Sequence, residues 1–310
     1  MEIRTLRYFL AVAQEENMTR AAARLHLTQP TLSKALKSLE AELDTRLFVR
    51  HSFSIELTDA GRLLRDRARD LVGLADKIED EFRSIDDVLA GELRLGMAES
   101  YRIRHIAHEL HNLKESCPGL RYHVTSGDTE QVTERLDRGL LDFAVLCERP
   151  DARRYDWIEL PERDRWGVVM RDDHPLARHV TVTPSDLVGE PLFVSEQGWR
   201  GDIAQWAGDC FAGFRLEGSF RLSYNASVFA REGLGLLLTF DRLVDTSPNS
   251  GLVFRPLDPP VEVTLYLAWG KRQLMTPIAS RFVEQVRSSF EPPRRNTEDS
   301  SSTGGSSACP

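Results

Sequence analysis

His105, His108 and Glu109 are the residues whose types and spacing come nearest to a metal site. They recur at helical spacing, and imidazole and carboxylate groups on one helix face can bind Zn²⁺. Their spacing departs from the H-E-x-x-H motif of zinc peptidases, and the apolar Ile106 and Leu110 occupy the opposite face. We therefore expect the histidines to lie on the solvent side, and the sequence predicts no metal site.

Two patterns that could indicate an enzyme are incomplete. Gly233 and Gly235 begin a dinucleotide-binding pattern, but Leu238 stands where G-x-G-x-x-G needs its third glycine. The motif G-x-S-x-G, which presents a nucleophilic serine, does not occur, and no paired carboxylates have a clear cleft position. The sequence therefore predicts no catalytic residues and no cofactor.

The four cysteines show no pattern of a zinc or redox site. They are Cys117, Cys147, Cys210 and Cys309. None stands in a C-x-x-C pair, which argues against zinc. A redox sensor would need a second cysteine near Cys210 in the same subdomain, and the sequence offers none. This usage fits a protein of the reducing cytoplasm.

The charge of the chain is unevenly distributed. Residues 1–65 contain 10 basic and 8 acidic side chains, a net charge of +2, whereas the whole chain of 310 residues carries −8. A relatively basic end on an acidic chain is typical of a DNA-contacting segment. No apolar run approaches the roughly 18 residues of a membrane helix, and the first 17 residues indicate an amphipathic helix, not a signal peptide.

The polar face of one predicted helix is the strongest indication of function. Thr28 has the side chain of an N-cap, and proline is tolerated in the first turn of the helix that it caps. Leu32, Leu36, Leu39 and Leu43 form a stripe that must face inward. The opposite face could enter the major groove of DNA, although two lysines more often belong to a helix face that is merely solvated. Its candidate residues are Gln29, Pro30, Thr31, Ser33, Lys34 and Lys37.

The neighbouring elements favour the DNA-binding alternative. Residues 4–15 have helical apolar spacing, and a short alanine-rich helix comes next, with Thr19 as its expected N-cap. After the third helix, Phe53 and Ile55 alternate with polar residues as in a short hairpin. Arg50 lies at the base of this wing, which could rest on the phosphate backbone.

These pieces together resemble the winged helix-turn-helix of LysR-type transcriptional regulators. The resemblance rests on AAARLHLTQPTLSKALKSLEAEL, then LFVR, then LTDAG, and it covers residues 9–61. It implies base readout near Gln29, Pro30 and Ser33, and a backbone contact near Arg50. The family's usual glycine after the third helix is replaced by Asp44, which we expect to change the turn little.

A long helix with a heptad pattern is predicted from Thr58 to about Asp87. Its apolar residues alternate in steps of four and three, which argues for pairing of two helices; packing on the helix's own domain is the alternative. The resemblance implies that this helix dimerises the protein, so that a homodimer or homotetramer would bind double-stranded DNA at an operator with dyad symmetry. The candidate dimerisation residues are Leu64, Leu71, Ala75, Ile78 and Phe82.

The remaining two-thirds of the chain alternates between strands and helices, which predicts an α/β fold with a largely parallel sheet. The resemblance extends here to the family's effector-binding domain. We therefore expect an N-terminal winged helix-turn-helix, a long linker helix and a two-subdomain, periplasmic-binding-protein-like effector domain. The expected bounds are 1–60 for the DNA-binding domain, 61–89 for the linker helix, 90–160 with 265–291 for effector subdomain I, 161–264 for subdomain II, and 292–310 for a disordered tail.

Polar residues at the ends of predicted strands are the candidates for effector binding, because ligands of such sheets bind beyond the carboxyl ends of the strands. The candidates are Ser100, Thr129, Ser195 and Asn225. Simple helix capping is the alternative for each of them. Helix N-termini favour anions, but Glu99 and Glu196 would repel a carboxylate unless Arg102 or Arg200 compensates. The identity of the effector stays open.

The sequence thus predicts a cytoplasmic, sequence-specific DNA-binding transcription regulator whose C-terminal domain binds a small-molecule effector that modulates promoter binding and transcription. An enzyme is the first alternative class, and the incomplete motifs argue against it. A stand-alone solute-binding protein is the second. It would need a signal peptide and no DNA-binding unit, and the first 60 residues contradict both.

Overall fold

The computed structural model describes residues 1–51, 54–83 and 90–290. Three segments about which the sequence makes predictions lie outside the described residues: the expected wing tip at 52–53, the predicted end of the linker helix at 84–89 and the expected disordered tail at 292–310. Among the described helices, none is long and apolar enough to cross a membrane.

Three helices and a hairpin form the N-terminal unit, and a long helix leads away from it. The elements are α1 (Ile3–Glu15), α2 (Met18–Arg24), α3 (Gln29–Glu42), β1 (Phe48–Arg50), β2 (Ile55–Leu57) and α4 (Asp59–Arg83). The apolar stripes of α1 and α3 bury Leu6, Phe9, Leu32 and Leu36 in one core. Phe48 closes this core from the wing, with its ring centroid 5.2 Å from that of Phe9.

The N-cap of α2 lies two residues earlier than the sequence predicts. Asn17 Oδ1 accepts hydrogen bonds from the backbone N–H groups of Thr19 and Arg20, both at 3.0 Å. The prediction of Thr19 as the cap is wrong because Asn17, in extended conformation, satisfies these free amides from outside the helix.

The start of α4 packs closely against the wing. Thr58 Oγ1 accepts a hydrogen bond from the Gly61 N–H at 3.0 Å, as expected of a cap. A Cβ at Gly61 would lie 2.2 Å from the carbonyl oxygen of Leu47, so only glycine permits this approach. One turn further on, Leu64 and Ala68 pack against the N-terminal core.

The rest of the chain folds into one nine-stranded sheet with helices packed on it. Its strands are β3 (Ala90–Met97), β4 (Gly119–Ser126), β5 (Phe143–Leu146), β6 (Tyr155–Arg171), β7 (Pro191–Ser195), β8 (Arg215–Phe220), β9 (Leu236–Phe240), β10 (Leu252–Pro256) and β11 (Glu262–Gly270). Its helices are α5 (Arg104–Ser116), α6 (Thr129–Asp137), α7 (Glu196–Gly198), α8 (Ala204–Ala207), α9 (Ser223–Arg231) and α10 (Pro277–Phe290). The strand order is β4-β3-β5-β11-β6-β9-β7-β8, with β10 beside β6.

The sheet is mixed, so the prediction of a largely parallel sheet is wrong. β3 runs parallel to β4 and β5, and β7 runs parallel to β8 and β9. β6 and β11 run antiparallel to each other and to the strands beside them. The alternation of strands and helices predicts the two parallel groups. It does not reveal that the long strands β6 and β11 lie between these groups and run antiparallel to their neighbours.

Two hydrophobic clusters divide the core of the sheet, and the long strands contribute to both. On β6, Leu160 belongs to the first cluster and Trp166 to the second. On β11, Val263 belongs to the second and Leu265 to the first. The chain therefore crosses between two halves at these places, and a cleft lies where the halves face each other.

Candidate functional site

Helix α3 presents the predicted polar face to solvent. Thr28 caps the helix, with Oγ1 3.4 Å from the Thr31 backbone nitrogen and 2.8 Å from Thr31 Oγ1. Leu32, Leu36 and Leu39 are buried as predicted. Leu43, expected in the same stripe, is 38% exposed because it stands at the C-cap, beyond the core that α1 and α2 provide.

The candidate DNA-contacting residues of α3 lie together on its outer face. Gln29, Pro30, Thr31, Lys34 and Lys37 are exposed, and Ser33 is half-buried. Among the described residues, no carboxylate forms an ion pair with Lys34 or Lys37, so both ammonium groups are available to a phosphate backbone. Arg50 ends strand β1 of the wing.

The turn after α3 has the geometry that usually requires glycine. Asp44 has φ of +47°, and the Thr45 N–H donates to the carbonyl oxygen of Glu40 at 3.0 Å. This is the hydrogen bond of a Schellman motif, whose left-handed position glycine or asparagine normally fills. The turn persists with aspartate, whose short polar side chain tolerates this conformation better than most.

The predicted dimerisation residues divide into two groups along α4. Leu64 packs partly against the winged-helix core of its own chain. For this residue the structure matches the alternative to helix pairing, in which α4 packs on its own domain. Leu71, Ile78 and Phe82 are 41%, 46% and 71% exposed, and Ala75 lies half-buried between them. Among the seam residues that the structure describes, those from Leu71 onward remain at least partly uncovered in a single chain.

A cleft of about 330 Å³ lies between the two halves of the large domain. Its walls come from the carboxyl ends of β3, β4 and β5 on one side and of β7, β8 and β9 on the other. The segments after these strands contribute polar residues: Glu99, Asp128, Glu148, Ser195, Gln197, Asp202 and Ser223. This is the position at which α/β sheets bind ligands.

One of the four candidate effector-binding residues lines this cleft, and a second lines the adjoining cavity. Ser195 lines the cleft, and its Oγ accepts a hydrogen bond from the Gly198 N–H at 3.2 Å. Thr129 lines the adjoining cavity of about 550 Å³. Both residues also cap or begin helices, so the capping alternative and a ligand contact are compatible in each case.

The other two candidates are not on the cleft wall. Ser100 is buried, and its Oγ accepts a hydrogen bond from the Arg102 N–H at 2.8 Å, which caps a short 3₁₀ helix. Asn225 is exposed on α9. Ser223, two residues earlier, faces the cleft instead, because the helical turn carries Asn225 to the opposite side.

Contacts across the cleft involve residues that sequence reasoning missed. Gln197 Nε2 donates to Thr129 Oγ1 at 2.9 Å, and the Thr129 N–H donates to Gln197 Oε1 at 3.3 Å. The Ser223 N–H donates to Glu99 Oε2 at 2.6 Å. No local pattern marks Gln197 or Ser223, because their partners are 68 and 124 positions away.

A buried ionic network lies behind Ser100. Arg102 is 7% exposed, and its guanidinium nitrogens lie 3.1 Å from Glu162, 3.6 Å from Asp164 and 3.3 Å from Asp241. Burial raises the pKa of Asp164 to about 6, although the Ser100 hydroxyl and the Arg102 charge act in the opposite direction. The guanidinium is therefore committed to carboxylates of both halves.

The histidine-containing helix does not form a metal site. His108 is exposed, but Glu109 is 3% exposed and accepts a hydrogen bond from Gln285 Nε2 at 2.8 Å. Of the two histidines expected on the solvent side, His108 is exposed and His105 is only partly so, whereas Glu109 is covered by α10. Across residues 1–51, 54–83 and 90–290, no group of histidine, cysteine or acidic residues is arranged to hold a metal ion.

Comparison with known proteins agrees with the two-part architecture. The family model described as "Bacterial regulatory helix-turn-helix protein, lysR family" matches residues 3–62. The model described as "LysR substrate binding domain" matches residues 86–291. The HTH-type transcriptional regulator YvbU of Bacillus subtilis (strain 168) is 28% identical over 296 residues, which cover 94% of this chain and 99% of that protein.

A second relative and a solved structure extend the comparison. The DNA-binding transcriptional dual regulator OxyR of Escherichia coli (strain K12) is 32% identical over 202 residues, 64% of this chain and 65% of that protein. The crystal structure of CbnR, a LysR family transcriptional regulator, has a TM-score of 0.72 at 24% identity and covers 94% of this chain and 100% of that one, which shows a shared fold. The substrate-binding family model alone matches more than half of the residues of this chain. The chain therefore belongs to the LysR family of DNA-binding transcription regulators with a C-terminal effector-binding domain.

Proposed function

We propose that α3 reads operator DNA in the cytoplasm, and that a small molecule in the cleft between the two halves changes how tightly the protein holds that DNA. The regulators to which the chain is related support this role over an enzymatic one. The individual residues that would carry each step are inferred from the geometry of α3, α4 and the cleft.

DNA reading is assigned to the exposed face of α3. Lys34 and Lys37, which have no ion-pair partner among the described residues, would neutralise phosphates, and Arg50 would do so from the wing. The amide of Gln29 could pair with both the N6 and N7 positions of an adenine, while Pro30, Thr31 and Ser33 would contact neighbouring bases or sugars. CbnR has been crystallised with its target DNA, and its fold matches this chain with a TM-score of 0.69.

Effector binding is assigned to the cleft because hydrogen bonds already join its two walls. This observation carries the proposal: Gln197 with Thr129, and Ser223 with Glu99, connect the two halves at 2.6–2.9 Å. A molecule that binds beside Ser195 would lie next to these bonds. It can shift the protein between arrangements only if it binds one of them more tightly.

Dimerisation is assigned to the uncovered part of α4. Leu71, Ala75, Ile78 and Phe82 would pair with the same residues of a second copy, giving a dimer or a higher assembly built from it. Two DNA-reading helices related by a twofold axis would bind two half-sites, so we propose an operator with dyad symmetry.

Fluorescence anisotropy with DNA from upstream of the gene tests the proposal. The protein should bind this duplex more tightly than a scrambled one, and a screen of small metabolites should yield a compound that shifts the affinity. Ser195→Ala should then raise the concentration needed for half the shift by roughly 5- to 100-fold, because a lost hydrogen bond to a buried group costs about 1–3 kcal/mol. Ser185→Ala, an exposed hydroxyl away from the cleft, is the matched control. Equal affinity for both duplexes would contradict the proposal.

A further inference from the structure

Carboxylates dominate the charge of the cleft. Its walls contain five acidic side chains and a single basic one, Arg221, which is exposed at the rim. The acidic residues are Glu99, Asp128, Glu148, Glu196 and Asp202. A cleft with low-dielectric walls focuses such a field, so the sign of this charge selects among ligands.

Three of these carboxylates are contacted only by neutral donors. Ser223 N–H donates to Glu99 at 2.6 Å, Trp166 Nε1 donates to Asp202 at 2.8 Å, and Gln197 Nε2 donates to Glu148 at 2.8 Å. No basic side chain of the part of the chain that the structure describes forms an ion pair with any of the three. Their hydrogen bonds fix their positions without cancelling their charge.

The two arginines that the sequence offered as compensation for this charge, Arg102 and Arg200, are engaged elsewhere. Arg102 does not line the cleft, and its guanidinium is committed to Glu162, Asp164 and Asp241. Arg200 lines only the adjoining cavity and lies 3.7 Å from Glu196. A carboxylate or phosphate entering the cleft would therefore meet repulsion that neither side chain offsets.

Two further features of the walls favour a positive charge. Trp166, Phe220 and Phe240 line the cleft, and the faces of aromatic rings attract cations. Burial is the main cause that raises the pKa of the Cys147 thiol to about 12, and the carboxylates of Asp164, Asp202 and Glu148 raise it further. Those carboxylates, and not burial itself, favour a cation over an anion at this wall.

We propose that the effector of this cleft is an organic cation, a small molecule with an ammonium or guanidinium group and an apolar part. Its charged end meets Glu99, Glu148 and Asp202, and its apolar part packs on Trp166. The inference rests on the proposed function, which places the effector here, and adds its chemical class. Arg221, the basic residue at the rim, can bind a carboxylate at the far end of such a molecule, as in an amino acid.

Calorimetric titration of the full chain with matched probes tests this class. The probes are phenethylamine, phenethyl alcohol and hydrocinnamate, which share an aromatic end and differ in charge, and a thermal-shift screen of further amines, guanidines and acids accompanies them. We expect the tightest binding among amines or guanidines, at least about 10-fold tighter than matched alcohols and acids, because a charge-assisted hydrogen bond exceeds a neutral one. Glu99→Gln and Asp202→Asn should each weaken cation binding about 10- to 100-fold.

Asp209→Asn removes the same charge from an exposed residue off the cleft and should leave cation binding unchanged. Should a cleft variant fail to fold, the salt dependence of wild-type binding replaces it: cation affinity must fall as ionic strength rises. Any of three results overturns the inference: an acid binds more tightly than its matched amine, every amine and guanidine fails to bind, or Glu99→Gln and Asp202→Asn both keep full affinity for the cation.

Anisotropy with operator DNA in the same titrations separates this inference from the proposed function. An acid or neutral compound that shifts DNA affinity and depends on Ser195 would leave the proposed function standing and refute the cationic class. A cation that binds in the cleft but never shifts DNA affinity would support the class and refute the proposed function.

Discussion

Lys77 Nζ lies 2.7 Å from Asp142 Oδ1, and this ion pair joins the linker helix α4 to the effector-binding domain. The two residues are 6% and 5% exposed. Lys77 also donates to the carbonyl oxygens of Gly139 and Leu141 at 3.0 and 3.4 Å, and the Arg94 N–H donates to Asp142 Oδ2 at 2.7 Å. Nearly every polar atom of the pair is satisfied, so α4 is held at a fixed place on the domain that contains the cleft.

Removing one partner of this pair should destabilise the protein strongly. Lys77→Met leaves the Asp142 carboxylate buried without its cation, and breaking a buried pair in this way costs about 3–5 kcal/mol in the free energy of unfolding. Lys77→Met combined with Asp142→Leu should recover part of that loss, because no charge remains buried. Urea denaturation followed by circular dichroism measures all three proteins.

A second ion pair between the same parts provides the control. Arg138 pairs with Asp70 of α4 at the surface, where both side chains are about one-third exposed. Arg138→Gln should therefore cost less than about 1 kcal/mol. Equal effects of Lys77→Met and Arg138→Gln would show that the Lys77–Asp142 pair is solvated.

Substitutions on α3 should separate affinity from sequence preference. Lys34→Ala and Lys37→Ala should weaken binding to all duplexes and reduce the salt slope by roughly one unit for each lost phosphate contact. Gln29→Ala should instead reduce the preference for the operator over a scrambled duplex. Anisotropy at several salt concentrations measures both effects, and an equal loss of affinity for both duplexes in Gln29→Ala would refute its readout role.

A charge in the exposed seam of α4 should disrupt the dimer. Ile78→Lys would bury an ammonium group between two helices, which costs several kcal/mol, so this variant should be monomeric and bind operator DNA poorly. Leu63→Lys is the matched control, since Leu63 is 64% exposed and lies off the seam. Light scattering reports the mass of each variant. An intact Ile78→Lys dimer would place the interface elsewhere.

The buried Asp164 should make stability fall as pH rises. Its pKa is raised from 3.8 to about 6 in the folded chain, so between these values the folded state keeps a proton that the unfolded state releases. The stability that this proton confers is fully present below pH 3.8, the pKa of the group in the unfolded chain. It is lost as the pH rises through about 6, the pKa in the folded chain. At neutral pH the difference corresponds to about 3 kcal/mol.

Asp164→Asn tests this effect because asparagine keeps the shape and does not ionise. The unfolding free energy of the variant, relative to wild type, should rise by about 3 kcal/mol between roughly pH 4 and 7. Asp209→Asn, at an exposed site, should show no such trend. A constant difference across this range would mean that Asp164 titrates as a solvated group.

Peroxide should not control DNA binding through Cys147, although several relatives are named hydrogen peroxide-inducible genes activators. Burial raises the pKa of this thiol to about 12, so at neutral pH it stays protonated, and only the thiolate reacts readily. Hydrogen peroxide should therefore leave operator affinity unchanged, and iodoacetamide should label Cys147 far faster in urea than in the native protein. Mass spectrometry locates the label. Cys147 and Cys210 are both partly exposed, so Cys210→Ser removes the second such thiol from the comparison.

The exposed polar face of α3 could be predicted from the sequence because its determinants are local. A cap at Thr28 and leucines at helical intervals orient α3 regardless of the fold of the C-terminal domain, so Lys34 and Lys37 must point outward. The same argument identified the heptad positions of α4, but periodicity alone could not tell which of them the chain itself covers. Leu64 lies on the winged-helix core and Phe82 does not, which depends on where α1 packs.

The cleft was decided by tertiary structure. Strand ends were recognisable, and Ser195 was among the candidates, but the turn that directs Ser223 inward and Asn225 outward is not encoded by residue type. Gln197 and Thr129 meet across 68 positions because two long antiparallel strands bring the halves together. Capping and periodicity act within a few residues, whereas the shape and charge of a cleft arise from contacts between segments that are distant in sequence.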